Sequence, residues 1–471
     1  MVIARKIAYN VVVSSISKVF STVLALVSIG IITRYLGASG FGEYATVLAF
    51  LSFFSAIADL GLNQTVTREI SRPGAKESDI MGRIFPLRVT ASLVMVIIAP
   101  AIALFFPYPT EVKQAIVIVA LSFVFSSSYQ ILNGVFQKNL AMDKVAISEF
   151  LGKLLQVIVI IIAVKLGAGF NWIIASLLFN MAFCFMLIFS LSKKYIHFKI
   201  KIDVKYWKNF LRTSYPLGLA AIINIIYFKI DTILLSVMKP SADVGIYNAA
   251  YKVIENITFF PAMIIGLVLP IMSHSIFSDK ARFKDICDKT FKVFCILVVP
   301  LVVGALFLSK DIINLIGGAG FVQSSGVLQI LIFALAAIFF SNFSNAILIA
   351  GNLQKKLMLV ALSAAIVNVT ANLILIPRYS YWAAASVSTA TEVLVAILAW
   401  LVVMRSLKYN PKIEKLFTIL LSGAAMATYL WIGRSLNFFL LAVSSALVYF
   451  FFLWILRAIK TEEITSIIGR K

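Results

Sequence analysis

The stretch KKYIHFKIKIDVKYWKNFLR, residues 193–212, holds seven Lys and Arg in twenty positions and lies between two stretches with no charge at all. Upstream, residues 171–192 contain no Asp, Glu, Lys or Arg, and downstream the same holds from Thr213 to Phe228. An apolar run of about 20 residues is long enough, as a helix, to cross the hydrocarbon core of a bilayer. The flanks therefore read as membrane spans, and the basic stretch as the loop between them. Moving outward in either direction, apolar runs alternate with gaps that are by turns rich and poor in basic residues. Lys and Arg are retained on the cytoplasmic side of helical membrane proteins, so the alternation predicts span number and orientation together.

Fourteen runs emerge, near 7–33, 43–67, 84–107, 114–136, 145–164, 171–192, 212–238, 244–273, 290–309, 322–350, 357–376, 381–404, 413–433 and 436–457. With the dense gaps and both tails assigned inside, 31 of the 42 Lys and Arg are cytoplasmic, seven are outside and four lie within the runs. The inside gaps include Arg68 to Arg88 and Lys138 to Lys144. Each outside gap holds one basic residue: Arg34, Lys113, Lys165, Lys239, Lys310, Arg378 or Arg434. The expectation is an all-α polytopic protein of the cell (cytoplasmic, or inner) membrane with both termini inside.

Composition points the same way. Of 471 residues 61% are apolar and only 13% charged, and the mean hydropathy is +0.99. A water-soluble chain of this length would carry far more polar surface. The net charge of +22 follows from scarce acids and cation-rich inner loops, and attraction to anionic membrane lipid accounts for it without nucleic acid. Cys184, Cys287 and Cys295 have no metal spacing and read as small core residues. His197 and His274 are the only histidines, both at loop edges. No Ser/His/Asp set, paired-carboxylate site, HExxH or GxxxxGK[ST] appears, so neither an enzyme nor an ATPase module is expected. No cofactor or metal is expected either, although coupling to Na+ or H+ through an interior carboxylate such as Glu392 stays open.

The basic stretch divides the chain after six spans. Gly42-Glu43-Tyr44, opening the second span, recurs as Gly245-Ile246-Tyr247, opening the eighth. A shift by six spans preserves orientation, so such repeats would be parallel. The expected organisation is an N-lobe over residues 1–192 (six spans), a linker over 193–211, a C-lobe over 212–405 (six spans), and a terminal helix pair with a tail over 406–471.

Ionisable side chains deep in a span cost at least about 2.5–3.5 kcal/mol on insertion scales, so they face a cavity or a partner. Lys18 lies midway along the first span, on a polar stripe with Asn10, Ser14, Ser17 and Ser21. Span seven carries Lys229 and Asp231; span eight carries Asn248, Tyr251, Lys252 and Glu255; Glu392 centres span twelve. Lys18, Lys252 and Glu392 read as cavity residues. Lys229, Asp231 and Glu255 fit a cavity or a structural bridge equally. Asp59 pairs locally, with Asn63 and Arg68 in reach, or serves coupling. Glu149 and Lys153 form an i,i+4 pair. Pro216, Pro261, Pro270 and Pro300 interrupt spans seven to nine.

The order Arg34-Tyr35-Leu36-Gly37, Phe41-Gly42-Glu43-Tyr44, Asp59-Leu60-Gly61-Leu62 and Arg68-Glu69-Ile70 resembles the amino-terminal region of the Wzx-like polysaccharide flippases of the MOP exporter superfamily. The resemblance implies two six-helix lobes in a V, working by alternating access. It further implies an isoprenoid (pyro)phosphate-linked oligosaccharide, undecaprenyl- or dolichyl-type, as cargo moved from the cytoplasmic to the outer leaflet. Glycan polymerase and ligase machinery are the partners it suggests beyond membrane lipid; the oligomeric state stays open. By position Arg34, Gly37, Gly42, Tyr44, Asp59, Gly61 and Arg68 belong to the motif. Lys18, Lys229 and Lys252 match a cationic interior by type and depth, with Ser14, Ser21, Asn248 and Tyr251 beside them. The nearest alternatives are a flippase for the peptidoglycan precursor lipid II and a MATE-type multidrug/cation antiporter.

Overall fold

The computed structural model describes residues 2–412 and 415–458, with side chains from Tyr9 onward except 11 and 12. Among these described residues fourteen α-helices follow one another: α1 (Val2–Asp59), α2 (Leu62–Ile70), α3 (Glu77–Ala103), α4 (Thr110–Lys138), α5 (Met142–Lys165), α6 (Phe170–Ser192), α7 (Val204–Met238), α8 (Ser241–Ile257), α9 (Phe259–Ser278), α10 (Lys280–Gly317), α11 (Ser324–Ala350), α12 (Gln354–Leu407), α13 (Leu416–Ile432) and α14 (Phe438–Ile455). No strand occurs among the described residues. Among the described residues, eleven helical segments, with α8 and α9 taken as one, are long and apolar enough to cross a membrane. Their outward faces are apolar: Ile97 is 73% exposed and Leu447 65%, the reverse of a soluble protein and the expected surface for lipid.

Two helices are too long to cross once. At about 1.5 Å per residue, the 58 residues of α1 would reach roughly 87 Å, against a hydrocarbon core of about 30 Å. The chain leaves helical geometry at Gly37 (φ 64°, ψ −173°), a conformation open to glycine and costly for other residues. Contacts show that α1 doubles back there. Asn10 Nδ2 donates to Leu140 O (2.7 Å), just before α5, and Tyr35 Oη accepts from Gly169 N (3.2 Å), just beyond its far end. The returning arm brings Phe50 against Tyr108, ahead of α4, and leads to Asn63 facing Gln130 near the end of α4. Similarly, α12 breaks at Ser380 (φ 49°), and its two ends meet: Lys356 Nζ donates to Ser406 Oγ at 2.8 Å.

By contact density the chain forms two compact units, Met1–Asn248 and Ala249–Lys471. The first takes in the basic stretch, α7 and the opening of α8, and side-chain size explains how closely α8 lies on α1 there. A Cβ on Gly42 would sit 1.7 Å from Ser241 O, and one on Gly245 2.0 Å from Ala38 O. The two echoed Gly-x-Tyr sequences thus pack directly on each other, at a backbone separation that only glycine allows. Their tyrosines, Tyr44 and Tyr247, are both buried.

The basic stretch is not a free tether. Lys201 N donates to Gly82 O (2.8 Å), Arg83 Nη1 pairs with Asp203 Oδ2 (2.7 Å), and Trp207 Nε1 donates to Arg83 O (2.7 Å). Ile196 and Phe210 join Leu62, Val66, Ile84 and Phe136 in a core at this basic end of the unit. Arg83 and Arg88, assigned to a loop by charge alone, instead lie inside α3. The apolar run that follows them does not mark where the helix begins.

The second unit has its own core, where Ile419, Met426 and Tyr449 pack on Cys295 and Leu308, and Tyr449 Oη donates to Ile296 O (2.9 Å). All three cysteines are buried and free, as expected of core residues. Pro216, Pro270 and Pro300 fall inside helices. Pro261 is not interior to its helix: the eighth expected run is interrupted at Thr258, and Pro261 stands in the first turn of α9, where a missing N–H removes no helical bond.

Candidate functional site

The interior charges sort into ties between helices and groups set along a polar path. Lys18, on the first arm of α1, is exposed within its unit, with Ser14 and Ser21 half-buried along the same arm. Its charge acts on Glu149 of α5. One helical turn on, Lys153 Nζ donates to Gln156 Oε1 (3.0 Å), which also accepts from Asn180 Nδ2 of α6 (3.0 Å). Gly152 makes room for this line, since a Cβ there would lie 2.5 Å from Asn180 Oδ1. A run of ionisable and amide groups thus joins α1, α5 and α6. Asn10, at the foot of the Lys18 stripe, works otherwise: besides its bond to Leu140, its Oδ1 accepts from Asp143 N (3.0 Å), fixing α1 to the α4–α5 turn.

Asp231 and Asn248 are nearly inaccessible. Tyr247 Oη donates to Asp231 Oδ2 (3.1 Å), and Thr232 Oγ1 donates to Asn248 Oδ1 (3.2 Å). Both bonds join α7 to α8 within the first unit. Lys229 is half-buried on α7. In the second unit Lys252 and Glu255 pair with each other along α8 (2.6 Å), with Tyr251 half-buried beside them. Glu392 is 6% exposed on the second arm of α12. The neighbouring Thr391 accepts from Asn368 Nδ2 (3.2 Å), and Asn368 accepts in turn from Asn372 (3.1 Å), a polar ladder across the α12 hairpin.

The motif residues are mostly architectural. Gly37 makes the turn of α1, Gly42 the close contact with α8, and Gly61 (φ 76°) the break ahead of α2. Tyr44 stacks on Phe41 with centroids 6.0 Å apart. Arg34 is exposed, reaching Gly30 O at 3.5 Å, and Arg68 is an exposed partner of Glu69. Asp59 has a partner that the charge count missed. Arg88 Nη2 lies 3.2 Å from Asp59 Oδ1, and the Arg88 side chain is wholly buried, its guanidinium 5.8 Å from the centre of the Phe123 ring. None of its side-chain nitrogens makes a hydrogen bond in the structure. The sequence did hold a signal for this residue: a carboxylate within a span needs a cation, and Arg88 stands eleven residues into α3.

A family model described as polysaccharide biosynthesis protein matches residues 7–276, more than half of the chain. The chain belongs to this family. CapF, a capsular polysaccharide biosynthesis protein of Staphylococcus aureus, is 25% identical over 293 residues, covering 60% of this chain and 73% of that protein. Agl15, a probable low-salt glycan biosynthesis flippase of Haloferax volcanii, is 23% identical over 326 residues, 67% of this chain and 66% of that one. Among solved structures, the lipid II flippase MurJ in an inward closed conformation matches with a TM-score of 0.76 at 16% identity, over 98% of this chain and 100% of that one. Identity that low speaks to the fold alone. The resemblance read from the opening motif is therefore borne out. This is an all-helical, multi-pass membrane protein of the polysaccharide biosynthesis family.

Proposed function

We propose that this protein moves an isoprenoid (pyro)phosphate-linked oligosaccharide from the cytoplasmic to the outer leaflet by alternating access, for surface polysaccharide synthesis. Membership of the polysaccharide biosynthesis family over residues 7–276 carries the reading. Interior ionisable groups on α1, α5, α8 and α12 support it, because a passive scaffold would not need them. An inside-negative potential drives an anionic head group outward by about 2.3 kcal/mol per charge per 100 mV. Lysines such as Lys18, Lys229 and Lys252 compensate that head group as point charges. Glu392 is the carboxylate through which Na+ or H+ would couple.

The fourteen-span topology belongs to the same proposal. Counting α1 and α12 as two crossings each, and adding the short α13, turns eleven candidate spans into fourteen. Both termini are then cytoplasmic, the two six-helix lobes form a V, and the protein sits in the cytoplasmic membrane, feeding polymerase or ligase machinery outside. The test is reconstitution into liposomes with isoprenoid pyrophosphate-linked oligosaccharides, scoring glycan exposed on the far leaflet. Transfer supports the proposal. Movement of lipid II alone, or of an organic cation alone, would replace it with one of the two related transport activities.

A further inference from the structure

In the first unit a groove of about 410 Å³ runs between α2 and α4. Its walls are Asn63, Gln64 and Thr67 from α2 and Gln130, Asn133 and Gln137 from α4. Five of these six are carboxamides and none is charged. Gly134 forms the floor, where a Cβ would lie 2.6 Å from Thr67 Oγ1, so the helices meet there and diverge above. The volume falls in the range of pockets that hold small molecules.

Helix packing accounts for only part of this lining. Asn63 Nδ2 reaches Gln130 Oε1 at 3.4 Å, a long bond across the groove. The buried carbonyl oxygens Asn63 Oδ1 and Asn133 Oδ1 accept no hydrogen bond, although buried acceptors are as a rule satisfied. Gln64 and Gln137, at the rim, are exposed. Side chains of this kind facing acyl chains would lose their hydrogen bonds, so the groove opens on water or on a polar ligand. It starts one residue before Lys138 and extends about 10 Å along α4 to Gln130, at the basic end of the unit.

We infer that this groove binds the first sugars of the cargo, taking uncharged hydroxyl-rich rings rather than the phosphate. The inference rests on the function proposed above and assigns a separate place to the glycan. Each carboxamide offers an acceptor and two donors, which matches neighbouring sugar hydroxyls that both give and take hydrogen bonds. A phosphate here would be desolvated with no cation on the walls.

The experiment measures equilibrium binding of two kinds of probe to the full-length protein in lipid nanodiscs. One is undecaprenyl pyrophosphate alone; the other is the same lipid bearing galactose or N-acetylglucosamine. Wild type is expected to bind at least one sugar-bearing probe about tenfold more tightly than the bare lipid, the equivalent of one or two net hydrogen bonds. The exposed double variant Gln64→Ala/Gln137→Ala, which leaves the packed floor untouched, should lose most of that preference with unchanged affinity for the bare lipid. Asn133→Leu should abolish it. A preference that survives in both variants, or its absence in wild type, overturns the groove assignment while leaving the transport proposal standing. Failure of wild type to bind any probe overturns the transport proposal itself, and the groove assignment with it.

Discussion

Arg88 illustrates how one buried charge commits a second. Its side chain has no access to water and its ion-pair partner is Asp59, whose carboxylate also faces Asn63 N at 3.4 Å. Removing one member of such a pair leaves an uncompensated charge, typically about 3–5 kcal/mol destabilising, whereas an apolar pair of similar volume is close to neutral. Arg88→Met should therefore lower the thermal midpoint in detergent markedly, and Asp59→Leu/Arg88→Met should recover most of the loss; additive losses in the double variant would show the two are not coupled. At the other end of the chain, Tyr409 Oη donates to Asp288 Oδ1 (2.7 Å). Burial, with that bond and the carboxylate's charge behind it, lifts this phenol above its ordinary value. A folded-state pKa raised in this way gives stability that is complete below the unfolded value, about 10, and declines as pH rises beyond it. Tyr409→Phe should flatten the alkaline loss of stability in a pH series of melting curves; an unchanged slope would remove Tyr409 from the account. Individual charges were the part of the site that sequence conveyed least. Depth marked Lys18, Asp231 and Glu392 as unusual, but only side-chain geometry shows Asp231 receiving a tyrosine hydroxyl and Lys252 satisfied by Glu255.

For helices, the informative residues are those with no side chain. Gly37 faces open space, so Gly37→Ala meets only the backbone penalty of a positive-φ, extended region that is almost exclusive to glycine, about 1–3 kcal/mol. Gly42→Ala would drive a methyl group into Ser241 O and force α1 from α8. The expected order is a modest drop in folded yield for Gly37→Ala and near-complete loss for Gly42→Ala, read by fluorescence-detected gel filtration. Equal effects would show that the glycine contact is not what holds α8 in place. The recurrence of Gly-x-Tyr was visible in the sequence, but its meaning was not. A two-residue echo carries no distance, and that its two copies touch is a fact of the fold. Most helices, by contrast, were plain from apolar run length alone. Boundaries failed where polar residues sit inside a helix, as at Arg83, or where an apolar run continues through a break, as at Thr258.

At the scale of the whole molecule, the charge alternation makes a claim about sidedness. A cysteine replacing Lys201 should react with a thiol reagent only when the reagent reaches the cytoplasmic face, and one replacing Arg378 only from outside; the reverse pattern would invert the topology. Lys18→Ala and Lys252→Ala should each reduce surface glycan export while leaving expression near normal, and normal export in both would exclude these lysines from cargo handling. The doubled-back α12 adds a constraint of another kind. Asn368 and Thr391, which bond across it, stand twelve and eleven residues from Ser380, and Lys356 and Ser406, which meet at its mouth, stand twenty-four and twenty-six away. The two arms are thus matched in length as well as in face. Deleting a single residue from either would rotate everything beyond it by about 100° and shift it by about 1.5 Å. Evolution can exchange side chains along this hairpin far more freely than it can change the number of residues in one arm.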